Sequence, residues 1–386
     1  MRADTGVEST ALSLLDALAQ IPDPRAARGV RHGVIAVLLV SACAVLAGAR
    51  SFVAIAEYVH DTGRTVLDLL GAGPVAPHES TIRRLLQQLD PTAVEDALHR
   101  WATTQLATRP TDPGIPARER RPVWALDGKS LRGARHGEQR STHLVSVIDQ
   151  TSGVVLTQVA VDSKSGELAA VPELLAGLDL RGVLVTADAL HTQRSHARYL
   201  HERGGHYLMT VKANQPTLLA RLRALPWKMI GPAARQRARG HGRVETRTIS
   251  VLSLQRCPDR GGEFFPHAAQ AIRLIRRRRP LRPGARWKTV TVYAITSLTA
   301  FQADPILLAR WIRGHWNIEN RLHWVRDVSF DEDRSQTRTA AGPQVMAALR
   351  NLAITALRLT GTTNIAAVLR HHARDAHRPL TTYKII

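Results

Sequence analysis

Hydrophobic residues follow two different patterns along this chain. Up to about residue 105 they recur at helical spacing, and the uncharged run at 33–49 predicts a helix buried on every side. From residue 122 onward, short apolar runs separated by turn residues predict strands and helices in the order β-β-β-α-β-α-β. A further helical stretch spans 304–326. The pattern therefore predicts an α/β protein preceded by an all-helical N-terminal domain.

Two segments divide this pattern into parts. Residues 106–121 are rich in proline and arginine, which is typical of a linker. Residues 217–285 are rich in arginine but contain strand-like runs such as TRTISVLSL. A disordered basic loop is one interpretation, but the alternation favours added strands. We therefore predict a helical domain at 1–105, a linker, and an α/β domain at 122–386 that carries a β-rich basic insertion.

The charge balance indicates a polyanionic partner. Lysine and arginine number 53 against 32 aspartates and glutamates, so the formal net charge is +21. The basic residues run through most of the chain, and a surface of this kind attracts nucleic acid.

Cysteine usage and hydropathy indicate the compartment. Cys43 and Cys257 are far apart in sequence, which argues against a disulfide scaffold or a zinc site and fits a reducing cytoplasm. The run at 33–49 reaches only the lower length limit of a membrane span, and no signal peptide is visible. We expect a cytoplasmic protein with no membrane partner.

The stretch HESTIRRLLQQLD at 78–90 has the pattern of the second helix of a helix-turn-helix. Ser80 is the predicted N-cap, and Arg83 and Arg84 lie away from the apolar face. Groove binding by these arginines is one hypothesis. An ordinary amphipathic helix with exposed arginines is the alternative, and both stay open.

Two aspartates follow apolar strands in similar surroundings. Asp127 ends the run VWAL, and Asp188 ends the run GVLVTA. If the two strands are neighbours in one sheet, both carboxylates lie near the same sheet end. An aspartate followed by glycine is also a common tight turn, so that interpretation of Asp127-Gly128 stays open at this point. Basic residues follow both acids, namely Lys129, Arg132, Arg135 and His136 after the first and His191 and Arg194 after the second.

Glu319 is the third candidate acid and lies inside the helix predicted at 304–326. At about 3.6 residues per turn it shares a face with His315, with Leu322 or His323, and with Arg326. An exposed glutamate there would ordinarily be a solvated partner of Arg326 or His323. Two strand-end aspartates and a glutamate offer the oxygen ligands that Mg²⁺ or Mn²⁺ prefers, and two such ions can act together on a phosphodiester. Glu332 is a rival third acid, although a capping loop after the helix is the preferred interpretation.

Other residues near these acids have secondary roles. Lys129, Arg132 and Lys212 would hold the nucleic-acid backbone against the metal. Trp316 and Trp324 could stack on an unpaired base, but packing in the core is the favoured interpretation.

Five stretches of the chain resemble the DDE transposases of bacterial insertion sequences, in the branch that includes the H-repeat-associated proteins. They are ALDGKSLRGA, VTADALHTQ, VKANQPTL, HWNIENRLHWVRDVSFDED and the N-terminal PDPRAARGVRHGVIAVLLVSACAVLAGARSF. The resemblance covers nearly the whole chain. It implies a ribonuclease H-like catalytic core in which Asp127, Asp188 and Glu319 hold the metal, with a β-rich insertion before the glutamate.

The surroundings of the glutamate differ from the related proteins. Related transposases carry a Tyr-Arg-Glu-Lys signature there, whereas here His315 stands in the place of the arginine and Arg326 in the place of the lysine. The resemblance implies that both contact the DNA backbone.

The function implied is that of a transposase that binds the terminal inverted repeats of an insertion sequence, cleaves the DNA and transfers its strands to a target. Joining two ends implies a homodimer on DNA. The predicted DNA contacts are Arg83, Arg84, Lys129, Arg132, His191, Lys212, His315 and Arg326. Two alternatives stay open, a catalytically inactive DNA-binding remnant or regulator and a metal-dependent nuclease without joining activity.

Overall fold

A computed structural model describes most of the chain. It covers residues 12–28, 30–109, 114–116, 118–134, 142–161, 164–240, 242–254 and 264–386. Arg135, His136 and Cys257, which the sequence analysis singled out, lie outside these ranges.

Helices dominate both ends of the described chain, and strands occupy its middle. The helices are α1 (Leu14–Leu18), α2 (Val34–Leu46), α3 (Phe52–Asp61), α4 (Arg64–Leu69), α5 (Glu79–Gln88), α6 (Pro91–Ala107), α7 (Val171–Ala176), α8 (Arg194–Glu202), α9 (Pro216–Ala224), α10 (Pro305–Gly314), α11 (Trp324–Val328), α12 (Gly342–Leu359), α13 (Ile365–His372) and α14 (His377–Thr382). The strands are β1 (Val123–Ser130), β2 (His143–Asp149), β3 (Val155–Val161), β4 (Leu184–Ala187), β5 (His206–Val211), β6 (Ala234–Gly240), β7 (Arg243–Ser253), β8 (Gln270–Pro280) and β9 (Lys288–Thr296).

The apolar run near the N-terminus forms α2. Val34 and every residue from Ala36 to Leu46 are buried, so the prediction of a helix surrounded by protein is confirmed. Such a helix needs no polar face because its neighbours cover it on all sides. None of the described helices is both long and apolar enough to cross a bilayer.

The strands of the described residues form one sheet in the order β3-β2-β1-β4-β5-β9-β8-β7-β6. β1, β4 and β5 are parallel to one another, whereas β2 pairs antiparallel with β3 and β5 with β9. Along the chain the elements follow as β1, β2, β3, α7, β4, α8 and β5, which confirms the order predicted from the apolar runs. Because parallel neighbours bring their carboxyl ends to the same edge of the sheet, the residues that follow β1 and β4 lie at one edge.

The described part of the arginine-rich insertion forms strands. After α9, strands β6, β7 and β8 continue the sheet antiparallel from β9, so the prediction of added strands is confirmed. Their inner halves are held by a core in which Ile249, Ile272 and Leu274 cluster with Leu307 and Leu308 of α10. The alternation of apolar and basic residues along these strands therefore has a core-facing side and a solvent side.

The prediction of a single helix at 304–326 is wrong. α10 ends at Gly314, a turn follows at His315 and Trp316, and a π-helical turn spans Glu319–His323 before α11 begins. Glycine is a weak helix former, and the π-helical turn adds a residue to the helical repeat. The common face expected for His315, Glu319 and Arg326 is therefore broken.

The described residues group into two compact units, each assembled from separate stretches. The first comprises Met1–Thr111, Gly128–Ala170 and Ile318–Ile386, and the second comprises Asp112–Asp127 and Val171–Asn317. In the first unit, α12 is buried along most of its 18 residues and packs against α2 and α6. The sequence analysis did not predict this helix or the two that follow it.

Candidate metal centre

Asp127 and Asp188 continue two paired strands. β1 and β4 are parallel, with Leu126 opposite Ala187, so the next residues, Asp127 and Asp188, start side by side. Neighbouring strands are about 4.8 Å apart. Both aspartates are partly exposed, and Asp188 accepts a hydrogen bond of 2.8 Å from the amide of Leu190. Two carboxylates this close repel each other unless a cation lies between them.

The Asp127-Gly128 pair is not a turn. β1 continues through both residues to Ser130, so the tight-turn interpretation is wrong. A side chain at Gly128 would collide with the ring of His143 and would lie 2.6 Å from the carboxyl carbon of Glu167. His143 is fixed there because its Nε2 lies 3.0 Å from Glu167 Oε2 and its Nδ1 lies 3.0 Å from Ser130 Oγ. Glycine is needed for this close approach.

Glu319 opens the π-helical turn, and His323 closes it. The carboxylate is 52% exposed, whereas the His323 ring is buried with its Nδ1 at 3.2 Å from Glu319 Oε2. The hydrogen bond from His323 lowers the pKa of Glu319, and the nearby positive charge of Lys129 adds to this. Turns of this kind occur often at functional sites. Glu319 is therefore held as a carboxylate.

Glu319 and His323 present a carboxylate and an imidazole side by side, with Glu319 Oε2 and His323 Nδ1 3.2 Å apart. Carboxylate and imidazole groups are ligands that suit a divalent cation. From the sequence, His323 is predicted only as an ordinary partner of Glu319, although a histidine four residues after a glutamate on one helix is a signal for a shared site.

Lys129 faces protein carboxylates instead of solvent. Its side chain is 9% exposed, and Nζ lies 2.6 Å from Asp327 Oδ1 and 3.5 Å from Asp333 Oδ1. These acids neutralise the ammonium group in this structure, and the contact of Lys129 with the DNA backbone stays a prediction. Burial raises the pKa of Asp327, and the hydrogen bond from Lys129 opposes that rise.

Arg326 is fully buried in this structure, and its contact with DNA stays a prediction. Its Nε lies 3.0 and 2.9 Å from the two oxygens of Glu332, and its Nη1 donates to Gln158 Oε1 at 2.7 Å. Arg350, 2% exposed, donates to the same Glu332 at 3.0 Å. Glu332 is thus the centre of a buried ion cluster, in the short helical turn that follows α11.

The two histidines predicted to contact DNA differ in exposure, since His191 is buried and His315 is half-buried. His191 is 1% exposed, and its ring stacks on His196. His315 lies 3.2 Å from Thr186 Oγ1, and burial lowers its pKa to about 4 although Asp188 opposes that shift. His315 is therefore uncharged near neutral pH. Contacts of His191 and His315 with DNA stay predictions.

The remaining predicted contacts are accessible. Arg132 is 80% exposed with Asp333 at 3.7 Å, and Lys212 is exposed directly after β5. In α5, Arg84 is exposed, whereas Arg83 donates to Glu79 at 2.9 Å. Contacts of these four residues with DNA stay predictions.

Two details of the sequence analysis need correction. The N-cap of α5 is His78 and not Ser80, since the His78 ring accepts a hydrogen bond from the Ser80 amide. Trp316 is 61% exposed and Trp324 is 54% exposed, so the prediction that both pack in the core is wrong.

Comparison with known proteins identifies the family. Residues 118–356 match the family described as transposase DDE domain, and residues 15–102 match a family associated with it. The chain is 31% identical over 355 residues to "Putative transposase YncI" of Escherichia coli O157:H7, covering 90% of this chain and 87% of that protein. It is 29% identical over 377 residues to "H repeat-associated putative transposase YhhI" of Escherichia coli (strain K12), covering 94% of each.

A solved structure is also similar. It is a piggyBac transposase synaptic complex with hairpin DNA, with a TM-score of 0.41 at 10% identity, covering 95% of this chain and 77% of that chain. The family resemblance carried by the sequence motifs is confirmed by the match at 118–356 and by the H-repeat-associated relative. The chain belongs to the transposase DDE domain family.

Proposed function

We propose that this protein cleaves and joins DNA as the transposase of an insertion sequence. The observation that carries the proposal is the parallel pairing of β1 and β4, which starts Asp127 and Asp188 side by side at the carboxyl ends of two strands. Membership of the transposase DDE domain family supports it. The strand order β3-β2-β1-β4-β5 supports the proposal of a ribonuclease H-like core, preceded by a helical domain at 1–105.

The proposed ligands of Mg²⁺ or Mn²⁺ are Asp127, Asp188 and Glu319. The donors fit these ions because all three side chains offer hard carboxylate oxygen atoms. Bound there, a pair of such ions would act as Lewis acid on the phosphodiester and stabilise the leaving oxygen. Within the protein, His323 holds the Glu319 carboxylate in place and keeps it ionised.

Exposed cations beside the acids have a separate task. Lys212 follows β5, whose parallel neighbour β4 leads into Asp188, so its ammonium group belongs to the same sheet edge. Arg132 lies after β1 and is largely exposed. We propose that both bind DNA phosphates, which would position the substrate without reading its sequence.

The test compares charge-neutral variants on defined DNA. Asp127→Asn, Asp188→Asn and Glu319→Gln should each abolish cleavage of element-end DNA while binding to that DNA stays close to wild type. Glu202→Gln, an exposed acid on α8, is the matched control and should cleave normally. Cleavage should depend on added Mg²⁺ or Mn²⁺. Full activity of any of the three variants would remove that residue from the ligand set.

The same assay separates the alternatives. Cutting followed by joining to a target supports a transposase, cutting alone supports a nuclease, and binding alone supports an inactive remnant or regulator. The proposed assembly is a homodimer on DNA, because one site processes one end at a time. Two inactive subunits, one Glu319→Gln and one defective in DNA binding, should restore cleavage when mixed if each subunit acts on DNA held by its partner.

A further inference from the structure

The insertion presents five arginines on one side of the sheet. On β6 they are Arg235, Arg237 and Arg239, which alternate and therefore point the same way. Through β7, Arg237 pairs with Thr246 and Thr246 pairs with Arg277, so β8 adds Arg277 and Arg279 to the same side. We call these five residues the arginine face. Each of the five is exposed.

The opposite side of these strands has another character. Ile249 and Leu274 belong to the core beside α10, and further out the same side carries Glu245. Glu245 lies 2.8 Å from Arg276, contacts Arg247 directly and lies 3.9 Å from Arg243. It is the single acidic residue in the sequences of β6 to β9. No acid of these four strands therefore lies on the arginine face.

Trp287 organises part of the arginine face. The guanidinium carbons of Arg277 and Arg279 lie 5.1 and 5.2 Å from the centre of the Trp287 ring. Contacts of this kind hold a cation over an aromatic ring while leaving its N–H donors available. Two of the five guanidinium groups are thus held in place, and less conformational freedom is lost when they bind a ligand.

We propose that the arginine face binds the phosphate backbone of duplex DNA without reading its sequence. The proposal rests on the proposed function, which makes DNA the substrate. Guanidinium groups match phosphate oxygens in geometry and charge. Alternate residues of a strand repeat every ~6.6 Å, so β6 offers an extended row of cations. A row without acids suits an extended polyanion better than a single small anion.

The experiment uses two variants of the full chain with equal charge loss. Arg235→Gln, Arg237→Gln and Arg239→Gln together remove three charges from the arginine face. Arg243→Gln, Arg278→Gln and Lys288→Gln together remove three charges from the opposite side. Affinity for a random-sequence duplex is measured over a series of salt concentrations, with thermal melting as the folding control.

Loss of three phosphate contacts should reduce the slope of log affinity against log salt by about 2.7, at about 0.9 for each contact. The variant on the opposite side should change the slope of log affinity against log salt by less than about 1. Trp287→Leu should weaken binding and leave the slope nearly unchanged, since it removes no charge. Equal slope losses in the two triple variants would overturn the proposal, as would a wild-type slope in the arginine-face variant.

Two further arms keep this proposal distinct from the proposed function. In the first arm, anionic lipid vesicles replace the duplex. If the arginine-face variant lost vesicle binding but kept wild-type binding to the duplex, the proposal would be overturned in favour of a membrane surface. Cleavage of element-end DNA by the wild-type protein is the second. If the wild type did not cleave but the variants showed the expected salt slopes, the proposed transposase function would be contradicted and the DNA-binding role of the arginine face supported. If the wild type cleaved normally but the salt slopes of the variants were unchanged, only the DNA-binding role of the arginine face would be contradicted.

Discussion

Glu332→Gln should unfold the protein more easily without touching the catalytic chemistry. Glu332 is 2% exposed and receives hydrogen bonds of 2.9 to 3.0 Å from Arg326 and Arg350. An amide in its place keeps the shape but leaves two buried guanidinium groups without a counter-charge. Removing one partner of a buried ion pair costs about 3–5 kcal/mol. We expect a loss of that size in the free energy of unfolding.

Urea unfolding followed by far-ultraviolet circular dichroism measures the effect. Glu319→Gln is the matched control, because a carboxylate that is 52% exposed should contribute under about 1 kcal/mol. At a temperature where all proteins are folded, Glu332→Gln should still cleave DNA and Glu319→Gln should not. Wild-type stability with lost cleavage in Glu332→Gln would refute the reasoning and make Glu332 the metal ligand.

A double variant isolates the electrostatic cause. Arg350 has two side-chain nitrogens, Nε and Nη2, that are buried without a hydrogen-bond partner among the described residues. Replacing Arg350 by methionine in the Glu332→Gln background removes one uncompensated charge. Part of the lost stability should return. A further loss of stability would show that packing, and not charge, dominates this cluster.

Two other predictions concern the helices of residues 14–107. Burial raises the pKa of Glu95 to about 8, so the folded chain keeps a proton there that the unfolded chain releases above about pH 4.5. The free energy of unfolding should therefore fall as pH rises from 4.5 to 8. In a series of urea midpoints measured over this pH range, Glu95→Gln should show a flatter profile than the wild type. An unchanged pH profile in Glu95→Gln would contradict this. Arg83→Ala with Arg84→Ala should weaken binding to element-end DNA far more than to random DNA, and equal losses would indicate phosphate contacts only.

The strand-end aspartates could be predicted because the signal is local. An apolar run that reaches Asp127 or Asp188 identifies a strand and its end, and parallel pairing then follows from the order of elements. The added strands of the insertion were predictable for the same reason, since alternation is visible within one strand.

Features that depend on distant partners could not be predicted. Arg326 looks like an exposed cation in sequence, and only folding brings Glu332 and Gln158 around it. Gly314 is a weak helix former, so the sequence contained a signal for the end of α10. The π-helical turn after it adds one residue to the helical repeat, and the ~3.6-residue periodicity of an α-helix cannot predict that addition. Trp316 and Trp324 show that an aromatic residue in an amphipathic pattern is not thereby buried.

β6 has a consequence for solubility, because it stands last in the sheet order and no other described strand pairs with its outer edge. Such an edge is a template on which a second copy could add its own β6 and begin aggregation. In an antiparallel pairing centred on Arg237, Arg235 of each copy would face Arg239 of the other, and like charges directly opposite are destabilising. The alternating arginines of this strand would therefore oppose such edge-to-edge pairing of two copies.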